Sequence, residues 1–385
     1  MEAYLDNSAT TRCYEEAADI VRHTMLTDFG NPSSMHNKGV EAEVYVKKSA
    51  EKIASILRVK PKEIFFTSGG TESNNWALFG TALANRRKGK RIVTTEIEHS
   101  AIAAPLEMME GLGYEIVKVP VDREGIVDME ALKAAVTEDT LLVSVMMVNN
   151  EIGAVEPVAE IGAWIKANRP NTYFHVDAIQ AFGKFRILPK RMKIDMLSVS
   201  GHKIHGPKGV GFLYVDEKVR IHPMVYGGGQ QNGMRSGTDN VPGIAGLGVA
   251  AERIYRDLDA GVEHMYRLKE RLYEGLQDIP NLKFHGPADL RKGAPQILNV
   301  SFIGIRSEVL LHTLEDRGIY VSSGSACSSH KRAGSATMQA THASAQEAES
   351  SVRFSFSELT TEEEIDYAVQ VIHEVAPMLR KYTRR

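Results

Sequence analysis

Ser198-Val199-Ser200-Gly201-His202-Lys203-Ile204-His205-Gly206-Pro207-Lys208-Gly209 overlaps a short apolar run, residues 195–199, that reads as a strand. That strand would deliver Lys203 to the carboxyl edge of a sheet, where open α/β folds collect their ligands. A primary amine there can hold a carbonyl-bearing cofactor covalently, and small neighbours let a planar ring approach. A lysine among glycines is equally what an ordinary surface loop carries, so the segment needs support from elsewhere in the chain. Upstream, Tyr173-Phe174-His175-Val176-Asp177 is strand-like and ends in an acid. Asp177 can pair with the protonated nitrogen of a cofactor ring and make the ring an electron sink, or it can cap the helix that follows.

Outward from this pair, short β-branched apolar runs alternate with amphipathic stretches between residues 60 and 216. Strands are expected at 64–67, 91–94, 114–119, 140–147, 173–177, 196–199 and 211–215, with helices at 73–87 and 131–136 between some of them. The alternation predicts an α/β fold whose mostly parallel sheet is covered by helices on both faces. Only a glycine-rich segment separates the last two runs, so one of them is expected to run antiparallel. Apolar residues at helical spacing then predict a helix over 241–276 that bridges to a second domain. Beyond it, strands are expected at 296–302, 319–321 and 351–356, and helices at 308–317 and 361–380. Thr361-Glu362-Glu363-Glu364 has the form of a capping box. Residues 14–255 should form a large cofactor-binding domain, and 1–13 with 256–385 a smaller α+β domain.

The 385 residues are long enough for two such domains, and 43% hydrophobic with 25% charged residues is an ordinary globular balance. Lys+Arg 46 against Asp+Glu 49 leaves a net charge of −3, which argues against nucleic acid as a direct partner. Met1-Glu2-Ala3-Tyr4-Leu5-Asp6 has acids where a leader would have basic residues, and the best uncharged apolar stretch, 141–148, is too short for a bilayer. A cytoplasmic location without membrane contact is expected. The two cysteines, Cys13 and Cys327, exclude a disulfide framework and a four-cysteine metal site. Cys327 and His330 have metal-like spacing but too few companions, so no metal is expected.

Thr67-Ser68-Gly69-Gly70-Thr71-Glu72-Ser73 joins a strand to a helix. Its glycines let backbone N–H groups of Gly70 and Thr71 point at a phosphate, though a tight turn before a capped helix would look the same. Thr95-Glu96-Ile97-Glu98-His99-Ser100 and Asn149-Asn150-Glu151-Ile152-Gly153 also follow strands at this edge. His99 could lie over a planar ring, although lone histidines are more often structural.

With these motifs in hand, the chain resembles the cysteine desulfurases, fold-type I pyridoxal-phosphate enzymes of the class V aminotransferase superfamily. The resemblance is carried in order by Tyr4-Leu5-Asp6-Asn7-Ser8-Ala9-Thr10-Thr11, Gly30-Asn31-Pro32-Ser33-Ser34-Met35-His36, residues 67–75, Val148-Asn149-Asn150-Glu151-Ile152-Gly153, residues 175–180, residues 200–209, Arg235-Ser236-Gly237-Thr238 and Ser322-Ser323-Gly324-Ser325-Ala326-Cys327. It spans essentially the whole chain. The resemblance implies that Lys203 is the Schiff-base lysine, that Asp177 pairs with the pyridine nitrogen, that Gln180 meets the phenolic oxygen and that His99 stacks on the ring. It places Gly70, Thr71, Ser200 and His202 on the phosphate, together with Thr238 of a second copy, and so implies a homodimer. Asn150 stands beside the cofactor and, with Asn31 and Arg353, looks like a residue that holds the substrate carboxylate, a task suited to a guanidinium.

Cys327 would be the nucleophile that takes sulfur from L-cysteine, leaving alanine and a persulfide for an acceptor such as an iron–sulfur scaffold or a thiolation enzyme. Its bland reading is a free thiol on a surface loop, and Cys13 reads as a partly buried bystander. After Cys327 the chain departs from the family's usual pattern through residues 328–342, which leaves the destination of the sulfur open. Rival readings on the same scaffold are a selenocysteine lyase or another pyridoxal-phosphate lyase or aminotransferase, and a non-catalytic sulfur-relay scaffold.

Overall fold

Ten residues separate the strands that flank the Lys203 turn, too few for the crossover that a parallel pair requires, and this shapes the sheet around them. The computed structural model describes residues 1–323 and 335–382. Numbered in chain order, its strands are β1 (Ala3–Tyr4), β2 (Ile64–Thr67), β3 (Arg91–Thr95), β4 (Glu115–Val119), β5 (Thr140–Met146), β6 (Tyr173–Asp177), β7 (Met196–Ser200), β8 (Gly211–Val215), β9 (Leu282–His285), β10 (Ile297–Phe302), β11 (Ile319–Tyr320), β12 (Ser322–Ser323) and β13 (Ser351–Ser355). Among the described residues, β2 to β8 form one sheet in the order β2-β8-β7-β6-β5-β3-β4. The pairs among β3, β4, β5, β6 and β7 are parallel, and β8 is antiparallel to both β2 and β7, as the short connection demands.

Two antiparallel pairings in succession make β2 point the same way as β7. The carboxyl ends of β2, β3, β5, β6 and β7 therefore lie on one edge, with Met146 opposite Asp177 and Asp177 opposite Ser198. β5 to β8 are buried along their whole length, which is why they read as continuous apolar runs rather than alternating ones.

The helical periodicity over 241–276 conceals a break. Helices Val241–Arg256 and Leu258–Leu276 meet at Asp257 (φ −113°, ψ 23°). Ile244, Leu247 and Ile254 join the apolar cluster of the large sheet, whereas Met265, Leu268 and Leu272 join a second cluster with Val300, Phe354 and Ile372. One apolar stripe thus serves two cores. Helices Glu15–Leu26 and Asn37–Leu57, which the sequence reading left undescribed, pack on Val241–Arg256. The helix expected at 73–87 begins earlier, at Gly70, behind Gly69 at φ 147°, and its last turn ends at Ala84.

Around the second cluster, β12, β13, β10 and β9 make an antiparallel sheet, and β1 pairs with β11. The strand expected at 319–321 is β11, and a further short strand that was not expected, β12, follows it in the other sheet. Helix Glu362–Tyr382 starts with the expected capping box: Thr361 N–H donates to Glu364 Oε2 at 2.7 Å and Glu364 N–H to Thr361 Oγ1 at 3.2 Å. Among the described residues no helix is long and apolar enough to cross a membrane, and no cluster of His, Cys, Asp or Glu could hold a metal ion.

Candidate active site

β7 ends in the tight turn Gly201–Lys203, closed by N–H groups of Ile204 and Gly206 donating to Gly201 O at 3.0 Å each. Lys203 Nζ reaches back to the amino-terminal segment and donates to the carbonyls of Ser8, at 2.5 Å, and Ala9, at 2.7 Å. Ser8 O also accepts from Gln180 Nε2 at 2.9 Å, so one peptide ties the lysine to the glutamine. His202 Nδ1 lies 3.2 Å from Thr10 Oγ1, and burial pushes its pKa down to about 4, leaving a neutral imidazole.

Asp177 ends β6 and is buried. Its Oδ2 accepts from Asn74 Nδ2 at 2.7 Å and its Oδ1 from Ile179 N–H at 3.0 Å. Burial raises its pKa, opposed by those hydrogen bonds and by the charges of His99 and Lys203. His99 caps helix Ser100–Gly111, its Nδ1 accepting from Ala101 N–H at 3.1 Å, so the imidazole proton sits on Nε2. Burial lowers the His99 pKa, with Asp177 pulling the other way. The three groups share one electrostatic environment.

At Gly70 an added Cβ would stand 2.1 Å from Ile179 Cδ1, so the start of that helix lies flush against the turn after β6 and a larger residue would have to displace the Ile179 side chain. Gly70, Thr71, Ser200 and His202, with Lys208, line a recess of about 350 Å³ that adjoins a cleft of about 300 Å³. His99, Asn150, Asp177, Gln180, Lys203 and Arg353 line that cleft. Arg353, on β13, donates from Nη1 to Asn150 O and from Nη2 to Asp6 Oδ1, at 2.8 Å each, while its Nε is buried without a hydrogen-bond partner.

Not every expected residue arrives. Asn31 is exposed between the first two helices, its Oδ1 accepting from Ser33 N–H at 2.9 Å, and it does not line the cleft. Thr238 is exposed just before helix Val241–Arg256 and is likewise outside the cleft of its own chain. Cys327 and His330 lie outside the described residues. The described chain before that segment ends with β12, whose Ser322 lines the cleft, and resumes at Ser335, whose hydroxyl donates to Glu151 Oε2 at 2.5 Å, next to Asn150. Cys13 is half-buried against the large core, and burial raises its thiol pKa.

Sequence reasoning missed the carbonyls of Ser8 and Ala9, which carry no side-chain signal. It also gave no role to Asn74, one helical turn beyond Gly70 and so placed to reach Asp177 at the strand end beside it.

The chain matches the class-V aminotransferase family over residues 3–368 and belongs to that family. It is 42% identical over 381 residues to cysteine desulfurase IscS of Clostridium botulinum, covering 99% of this chain and 96% of the relative. To cysteine desulfurase IscS of Methanosarcina thermophila it is 41% identical over 377 residues, 98% of this chain and 92% of the relative. A solved NifS-like protein superimposes with a TM-score of 0.93 at 38% identity, covering 98% of this chain and 100% of that one. The fold is that of the fold-type I pyridoxal-phosphate enzymes, and the activity is that of a cysteine desulfurase, with pyridoxal 5′-phosphate as cofactor and L-cysteine as substrate.

Proposed function

We propose that Lys203 holds the cofactor covalently, that Asp177 keeps its ring nitrogen protonated, that His99 stacks on its ring and that Gln180 meets its phenolic oxygen. The meeting of Lys203, Asp177 and His99 in one cleft at the carboxyl edge of the sheet carries this reading. The residues fit the group chemically: a buried carboxylate for a ring N–H, an amine for an aldehyde and, in the adjoining recess, the backbone of Gly70 and Thr71 with Ser200 and His202 for a phosphate. When bound, pyridoxal phosphate supplies an electron sink for the charge that develops at the substrate's α carbon.

The chain's own residues do the rest. Arg353, with a buried unpartnered Nε and fixed Nη groups, binds the substrate carboxylate beside Asn150. Met146, Val148 and Ile179 form an apolar wall that excludes water. The Cys327 thiolate attacks the substrate sulfur: the S–S bond forms as the substrate's Cβ–S bond breaks, the electron pair stays with the carbon skeleton, which takes up a proton and leaves as L-alanine, and the persulfide is kept for an acceptor protein in iron–sulfur assembly or thiolation. Thr238 completes the phosphate site of a second copy, so the working unit is a homodimer in the cytoplasm. Asn31 stays in the proposed substrate set, although it does not line the cleft of its own chain. Residues 14–255 form the cofactor domain, and 1–13 with 256–385 the smaller one, a division supported by the two apolar clusters.

Borohydride reduction of the holoenzyme followed by peptide mapping should find the pyridoxyl group on Lys203. A label on another lysine would refute the assignment.

A further inference from the structure

Behind the Lys203 turn, on the side away from the cleft, lies a second lysine. Lys184 is buried, and its ammonium donates to the main-chain carbonyl of Lys203 at 2.6 Å. It is carried there by the turn that follows β6. Gly183 in that turn has φ +79°, and a Cβ on it would stand 2.8 Å from Ile254 Cδ1 and 3.0 Å from Ile204 Cγ2. The chain therefore passes flush against the residue after Lys203, and only a residue at home in the left-handed region fits.

Burying a cation is costly unless something offsets it, and the surroundings of Lys184 do so only in part. It borders an internal cavity of about 10 Å³ with Gln180, Gln296 and Glu358. The groups facing it come from every neighbouring element. Lys203 and His205 belong to the turn itself, His205 kept neutral by burial with a pKa of about 4. Glu358, after β13, has one oxygen taken by the Tyr14 hydroxyl at 2.5 Å, and Arg253 lies over the Tyr14 ring at 4.0 Å. Tyr255 accepts from Gly183 N–H at 3.2 Å. Burial first, and then the charge of Lys203, lower the Lys184 pKa to about 7, with Glu358 opposing both. Electrostatic coupling is reciprocal, so charge on Lys184 disfavours charge at Lys203 in equal measure.

We propose that Lys184 is a positioning residue for Lys203: it clamps the Lys203 carbonyl from behind the cleft and biases the Lys203 nitrogen toward its uncharged form. A lysine nucleophile must be uncharged to attack a carbonyl, and a neighbouring cation is one physical route to that state. The inference rests on Lys203 being the cofactor lysine.

The test is the pH at which the visible band of the bound cofactor changes, compared in holoenzyme from wild type, Lys184→Met and Lys184→Gln. Both variants lose the charge, so both transitions should move upward, by about one pH unit, a tenfold change in the proton equilibrium. Glutamine keeps an N–H for the Lys203 carbonyl and methionine does not. Cofactor loss on dialysis should therefore be faster in Lys184→Met than in Lys184→Gln, while a merely structural lysine would leave the band transition where it is. An unchanged or lowered transition in Lys184→Gln overturns the proposal, and that variant alone decides it if Lys184→Met fails to fold. Reduction and mapping of the wild type separates the two layers. A pyridoxyl label away from Lys203 removes the premise, whereas a label on Lys203 with no shift removes only the role of Lys184.

Discussion

Asp177 shows how a single buried carboxylate can be tuned. Burial raises its pKa, while Asn74 and the Ile179 N–H hold the ionised form in place and aim it into the cleft. Asp177→Asn keeps the shape and loses the charge, so turnover should fall by about 10²- to 10³-fold, the range for removing one charge-stabilising group from a reacting centre. Cofactor should still attach to Lys203. Turnover at the wild-type rate in Asp177→Asn would show that another group holds the ring proton. Glu98, beside His99, makes a different prediction. Its Oε1 accepts from Thr95 Oγ1 at 2.8 Å and Met146 N–H at 2.9 Å, its Oε2 is buried without a partner, and burial pushes its pKa up to about 8. The folded state holds this proton more tightly than the unfolded chain does. The resulting stability is fully present below the ordinary carboxylate range and is lost as pH rises through about 8. Thermal unfolding scans should show Tm falling between about pH 5 and pH 8.5, and Glu98→Gln should reduce that fall by about 2 °C or more. Glu156, also raised to about 8, keeps part of the slope in the variant. An identical slope in wild type and Glu98→Gln would mean that Glu98 ionises freely in the folded protein.

At the scale of elements, the return of the chain at Ser335 is the most exposed to test. Ser335 caps helix Ala336–Ala340 by accepting from Met338 N–H at 3.0 Å, and it donates to the half-buried Glu151. Ser335→Ala removes a cap and leaves a carboxyl underpaired, so stability should drop by about 1–2 kcal/mol in denaturant titrations. No loss would mean that this contact does not anchor the helix. The sheet was legible in the sequence because β5 to β8 are buried on both faces and so had to be apolar throughout. The antiparallel β8 was legible from the brevity of its connection. The break at Asp257 was hidden because helical periodicity reports an apolar stripe without saying how many cores it faces. Helices Glu15–Leu26 and Asn37–Leu57 are rich in charged and small residues and gave no strong signal of their own. Within the site, Lys203, Asp177, His99 and the Gly70 turn were legible because their chemistry lies in side chains and glycines at strand ends. Lys184 was not, since a lysine on a turn looks like a solvated one until the fold buries it.

For the whole molecule, the recess proposed to take the phosphate adjoins the cleft, and exposed Thr238 is the residue proposed to reach that recess in a second copy. Sedimentation of the holoenzyme should show a dimer, and dilution to monomer should release cofactor in step with dissociation. A fully active monomer would contradict the shared site. A cysteine desulfurase takes sulfur from L-cysteine, and the proposal is that the sulfur rests on Cys327 before it moves on. Incubation with L-cysteine, with alanine release quantified and Cys327 examined by mass spectrometry, tests that step directly. Wild type should release alanine and carry one added sulfur on Cys327. Cys327→Ser, whose hydroxyl stays protonated near neutral pH, should still bind cysteine and form no persulfide. If Cys327→Ser releases sulfide from cysteine as fast as wild type, the sulfur is eliminated without a nucleophile and the protein acts as a direct lyase.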